Sequence, residues 1–323
     1  MKKTFFIILF FLISIPLVSI GISQYNIMNP KYVPIPKYLN SWIHTPSKHN
    51  IKISKYETQG IPYLLVEYDV NGTMSKRSKK LRKQMSAYGY THDELQNNGL
   101  LVMFHGKNMR KEHLLPVAER YTAVGFTCVL IDLPEHGDNK NPIQSYGQNN
   151  IESHYLTTVI KDLSSHRAKL STQALYVWGI SLGGAFAISN SIYVKPNALI
   201  LISTFDKLSY ILEEKSEYLF GQTLGKLLYT GLNYSLSFFY NFHPEEIDST
   251  KHAKKLHVPI MVFHGKKDKL IHYSHGEKLF QSFPNKHKIL ILDTNGNHEN
   301  ILITKYPFYA QSVKFLLEST KKH

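Results

Sequence analysis

Two kinds of apolar segment alternate along this chain. Leu100 to Phe104, Phe126 to Ile131, the run from Ala174 to Gly179, Asn197 to Ser203, Val258 to Phe263 and Ile289 to Leu292 are short and almost unbroken. That non-alternating pattern predicts strands covered on both faces. Between them, Lys111 to Ala123, about Ile151 to Ala168 and Pro307 to Ser319 repeat apolar positions at helical spacing, and Gly125 stops the first of these. Ile51 to Ser54 and Ile61 to Tyr68 predict two further strands joined near Gln59-Gly60. Strands and helices in alternation imply an α/β fold: a mostly parallel central sheet with helices on both faces.

One interval breaks the rhythm. Residues from about Lys207 to His257 are helix-like and rich in Leu and Tyr, and include Phe238-Phe239-Tyr240-Asn241-Phe242. This predicts a small helical cap inserted over the carboxyl edge of the sheet. At the other end, Lys2-Lys3 precedes an uncharged apolar run from about Phe5 to Ile22. A positive start followed by such a run reads as a signal peptide, cleaved near Ser19 to Ser23, or as an anchor of about 18 residues, just long enough to span a bilayer. In both readings the rest of the chain is exported. Pro30, Pro34, Pro36 and Pro46 then predict an extended lead-in. The expected organisation is therefore 1–24 as signal peptide or N-terminal membrane anchor, 25–50 as linker, and 51–323 as one domain with its cap at about 207–257.

The chemistry concentrates where the run Ala174-Leu175-Tyr176-Val177-Trp178 passes through Gly179-Ile180-Ser181-Leu182-Gly183 into a helical start. A strand feeding a helix through so tight a turn exposes the middle side chain and leaves no room for its neighbours, a requirement that Gly179 and Gly183 meet. The helix N-terminus beside Ser181 favours negative charge. Other polar residues fall at the ends of predicted strands: His105-Gly106-Lys107, Asp132 to Gly137, His264 to Asp268, and Asn295 to His298. Open α/β sheets bind ligands at these carboxyl ends. Ser181, Asp268 and His298 should meet there, with Asp206 and Asp293 as rival carboxylates.

In these motifs the chain resembles the α/β-hydrolase superfamily of serine hydrolases, of the esterase, lipase and lysophospholipase type, from about Ile51 onward. The resemblance implies Ser181 as nucleophile, His298 as general base and acid, and Asp268 as the carboxylate that orients it. It also implies an oxyanion hole from the backbone N–H groups of Leu182 and Lys107. The physics asks for the same parts. A serine hydroxyl is a poor nucleophile until an imidazole takes its proton, and a carboxylate on the other ring nitrogen fixes the tautomer. The expected substrate is a small-molecule acyl ester or lipid. The same residues would serve a thioesterase or a serine exopeptidase, for which Glu213, Glu214 and Glu217 could receive a free amine. A non-enzymatic alternative is a catalytically silent binding module. His105, His136 and His264, beside glycines at strand ends, read as loop-shaping hydrogen-bonders.

Composition changes this picture little. The formal charge of +14 peaks in Lys76-Arg77-Ser78-Lys79-Lys80-Leu81-Arg82-Lys83. No interleaved aromatics or nucleic-acid motif accompany that run, which leaves a solvated charged face or docking to an anionic membrane surface. The single cysteine, Cys128, sits in a strand pattern and reads as a buried small hydrophobe. No metal-ligand spacing and no phosphate-cradling loop occur, so no metal or other cofactor is expected.

Overall fold

The computed structural model describes residues 18–170 and 173–320. Eight strands form one sheet: β1 (Ile51–Thr58), β2 (Ile61–Tyr68), β3 (Gly99–Phe104), β4 (Phe126–Ile131), β5 (Leu175–Ile180), β6 (Ala198–Ile202), β7 (Ile260–Gly265) and β8 (Lys288–Asp293). Their spatial order is β1-β2-β4-β3-β5-β6-β7-β8. The hairpin β1–β2 joins β4 antiparallel, and every pairing from β4 through β8 is parallel. The helices are α1 (18–28), α2 (Asn40–His44), α3 (Lys76–Ala87), α4 (Leu115–Thr122), α5 (Tyr155–His166), α6 (Leu182–Val194), α7 (Leu208–Phe220), α8 (Gln222–Tyr240), α9 (Ser249–Ala253), α10 (Tyr273–Ser282) and α11 (Phe308–Thr320).

Both faces of the sheet are covered, in keeping with central strands that are apolar at nearly every position. Successive strand residues point to opposite faces, so Val102 and Phe104 join a core with α5, α6 and α10, while Leu101 and Met103 join another with α3, α4 and α11. This is the mostly parallel, doubly covered sheet the sequence pattern predicts. The 207–257 insertion is helical, with α7 and α8 joined at Gly221 (φ +80°) and its base closed by the bridge of Lys207 with Asp248.

Two segments differ from expectation. The basic run keeps the expected solvated charged face, its lysines turned outward, but it does so as helix α3, whose Ser78, Leu81 and Met85 are buried at helical spacing. Ser75 caps it by accepting the amide of Ser78. The lead-in at 25–50 is not an extended linker either. It is folded onto the domain: Leu39 is fully buried and the Trp42 indole donates to Glu119 at 2.6 Å. Its one extended run without helical structure is residues 29–36. Of the signal or anchor segment, residues 1–17 lie outside the described residues, and 18–24 belong to α1. Among the described residues no helix is long and apolar enough to cross a membrane.

Candidate active site

Ser181 stands between the end of β5 and the start of α6 at φ 54°, ψ −122°, a strained setting for a residue with a side chain. The turn is possible because its neighbours are bare. A Cβ on Gly179 would lie 2.3 Å from the carbonyl oxygen of Gly183, and one on Gly183 would lie 2.2 Å from that of Phe104. Gly184 is equally constrained, since its Cβ would collide with the Thr204 hydroxyl at 1.8 Å. Its place directly after Gly183 was the only sequence signal for that.

The parallel sheet brings three distant residues to one rim. His298 Nε2 lies 3.1 Å from Ser181 Oγ, and His298 Nδ1 lies 2.7 Å from Asp268 Oδ2. Asp268 is buried, and its Oδ1 accepts the amides of Leu270 and Ile271, both at 2.9 Å. Burial alone would raise its pKa, but the nearby His264 ring and the hydrogen bond from His298 prevail and hold the carboxyl well below the usual range. The rival carboxylates are engaged elsewhere. Asp206 pairs with the buried His275, and Asp293 accepts the amide of Asn295 at 2.9 Å.

Leu182 is the first residue of α6, so its amide lies among those the helix itself cannot satisfy. Lys107 follows Gly106, whose Cβ would be 3.4 Å from the Ser181 Cβ, so the turn carrying the Lys107 amide passes beside Ser181. That turn rests on a buried polar scaffold. His105 donates through Nδ1 to the Gly106 carbonyl at 2.8 Å, and its Nε2 accepts the Leu133 amide at 3.2 Å. Lys111 holds Asp132 through both its amide (2.7 Å) and its ammonium (2.6 Å). Gly137 turns at φ +56° where a Cβ would strike the Asp132 carboxylate. His136 is bound to the Pro134 carbonyl at 2.6 Å, and His264 to that of Ile271 at 2.9 Å, so these strand-end histidines shape loops.

A cavity of about 230 Å³ opens on Ser181. Leu182, Phe205, Leu208, Ile211, Leu212 and Leu232 are among its apolar lining, and the cap helices α7 and α8 supply much of the wall. Its charged lining residues are Lys107 and Lys215, with no carboxylate among the described residues. Burial, followed by the charge of Lys215, lowers the Lys107 pKa to about 8. Ser23, Asn26 and Ile27 of α1 also line it, which sequence reasoning missed because nothing local links residue 27 to residue 181. Among the described residues no group of three or more His, Cys, Asp or Glu side chains could hold a metal ion.

The sheet order, the strained serine turn and the inserted cap define an α/β-hydrolase-fold protein. A family model described as serine aminopeptidase, S33, matches residues 226–302, a span that holds Asp268 and His298 but not Ser181. Among solved structures, the esterase Pf2001 of Pyrococcus furiosus is similar at 16% identity and a TM-score of 0.62, over 90% of this chain and 98% of that one. The 2,6-dihydroxy-pseudo-oxynicotine hydrolase is similar at 16% identity and 0.56, over 83% and 68%. A membrane phospholipase A described as a bacterial virulence factor is similar at 15% identity and 0.52, over the whole of both chains. At these identities the likeness is one of fold. No curated protein matches the sequence.

Proposed function

We propose that this protein is a serine hydrolase that cleaves carboxylic esters of acyl or lipid-like substrates through an acyl-enzyme on Ser181. The observation that carries the reading is the relay from Ser181 Oγ through His298 to Asp268, at 3.1 and 2.7 Å, at the mouth of an apolar cavity. His298 takes the serine proton as Oγ attacks the ester carbonyl, then returns it to the leaving alcohol. The amides of Leu182 and Lys107 face the developing oxyanion, each contributing about 3 kcal/mol. Water then releases the acid by the same route. The cavity is below the usual range of about 300 to 1,000 Å³ for small-molecule sites, which favours short acyl groups.

The S33 match raises an aminopeptidase as the second reading. Recognition of a free amine needs a carboxylate at the cavity, and the charged groups lining it are lysines. Glu214 is bound to His275 at 3.0 Å, and Glu217 lies 3.8 Å from Lys226. The ester reading therefore fits the wall better. The positive start and apolar run at the N-terminus support export, with the protein anchored or released.

Labelling with a fluorophosphonate probe tests the reading, together with turnover of p-nitrophenyl esters from acetate to palmitate. Labelling that disappears in Ser181→Ala, with turnover of the shorter esters, is expected. Equal labelling of the native and Ser181→Ala proteins would overturn the assignment, and turnover of amino-acid amides in preference to every ester would favour the aminopeptidase.

A further inference from the structure

Helix α1 ends where its carbonyls face the active site. The last carbonyls of any helix lack intrahelical donors. In α1 the Tyr25 carbonyl accepts the Asn29 amide at 2.8 Å, but those of Asn26 and Ile27 are taken by side chains from far along the chain. Lys107 Nζ donates to the Asn26 carbonyl at 2.8 Å and approaches that of Ile27 at 3.4 Å. The Tyr146 hydroxyl donates to the Ile27 carbonyl at 2.7 Å and lies 3.2 Å from Lys107 Nζ. A cation at a helix C-terminus is favoured by both the orphan carbonyls and the helix dipole.

The rest of the helix is fixed too. Ile27 is 6% exposed within the main core, and Gln24 accepts from Ser235 of α8 at 2.6 Å. Beyond the helix, the Lys31 amide donates to Asn108, the residue after Lys107. Two of the polar ties at this end, from Lys107 and to Asn108, thus run to one turn, the turn whose Lys107 amide passes beside Ser181. The Lys107 side chain is half-buried, and its ammonium meets carbonyls of α1 there rather than a carboxylate.

We propose that residues 18–28 are a working part of the active site, a strap that completes the wall of the acyl cavity and is clamped to the oxyanion turn by the Lys107 and Tyr146 side chains. Lys107 is then a positioning residue through its side chain as well as a backbone donor. The inference rests on the serine-hydrolase reading for its catalytic consequence, while the clamp itself does not depend on that reading. It makes turnover responsive to whatever pulls on the N-terminal segment, since displacing the strap opens the cavity and frees the turn.

Two full-length variants test it. Lys107→Met keeps the backbone amide and the aliphatic stem but removes the ammonium. Tyr146→Phe removes one hydroxyl and keeps the ring against Phe242. Hydrogen exchange of the amides in 18–28 is measured beside kcat and KM over a series of acyl chain lengths. Exchange in the strap should quicken about tenfold in each variant, as expected for loss of one charge-assisted or buried hydrogen bond at a helix end, with the sheet unaffected. KM should rise most for the esters that reach the strap wall, and kcat should fall in Lys107→Met for all of them. Unchanged strap exchange in both variants would overturn the clamp. A loosened strap with native kcat and an unaltered chain-length profile would overturn its role in the site. If the native protein turns over no ester, the serine-hydrolase reading and the proposed catalytic role of the strap both fall, and the exchange result still decides whether the clamp exists.

Discussion

Replacing Asp268 with asparagine probes the relay with almost no change of shape. In the native protein Asp268 Oδ1 lies under two backbone donors, Leu270 and Ile271, while Oδ2 faces His298 Nδ1. The asparagine can keep both amide bonds only by leaving its carbonyl oxygen at the Oδ1 position. Its NH2 group then points at His298. A donor at that place requires Nδ1 to accept, which moves the ring proton to Nε2, the atom 3.1 Å from Ser181 Oγ. A protonated Nε2 cannot take the serine proton. Loss of the correct tautomer costs about 10⁴-fold in kcat, or about 5.4 kcal/mol of barrier. Steady-state turnover of a fluorogenic short-chain ester measures this, with thermal melting as the check on folding. Asp206→Asn and Asp293→Asn serve as controls, because neither carboxylate reaches His298. A kcat in Asp268→Asn within about a hundredfold of native would refute the assignment of Asp268 as the orienting group, given the size of the expected effect.

Further outcomes follow from single contacts. Gly183→Ala would place a methyl 2.2 Å from the Phe104 carbonyl oxygen and 2.4 Å from that of His105, so a loss of about 1–3 kcal/mol is expected in denaturant unfolding, together with lower activity from a displaced oxyanion turn. An unchanged midpoint would show that the elbow is looser than its geometry implies. His275 is held by Asp206 and, at 3.0 Å, by Glu214 of the cap helix α7; burial lowers its pKa, but these bonds outweigh it and the net shift is upward. A raised folded value means the stabilisation is complete below the ordinary imidazole value of about 6.5 and fades as pH rises through the folded one. His275→Gln should therefore flatten stability against pH over that window, and an identical pH profile would count against the bridge.

How much of this was legible follows from what each segment touches. β4 has the predicted bounds, Phe126–Ile131, because a strand covered on both faces is apolar at nearly every position, Thr127 being the exception here, and that signal is written locally. Ser181, Asp268 and His298 could be picked out for a related reason: a parallel sheet gathers the residues that follow its strands, so order along the chain substitutes for proximity in space. The signal fails where a segment is held by partners distant in sequence. In α3 the three inward residues are outnumbered by lysines and arginines, and one serine and one methionine among them carry little apolar weight. Four prolines between 30 and 46 describe a chain that avoids regular helix over part of its length, yet they say nothing of Leu39 and Trp42, which find their places against the body of the domain 77 residues on from Trp42, at Glu119. Lys107 is the sharpest case. A lysine in the turn beside Ser181 carries one backbone amide like any other residue, and its local sequence speaks only for that amide. The use of its ammonium is set by two carbonyls some eighty residues earlier, at the end of a helix whose position becomes readable only once the cap has folded. The candidate site is therefore divided by range: Ser181, Asp268 and His298 are placed by strand ends, and the cavity wall beside them is placed by long-range contacts.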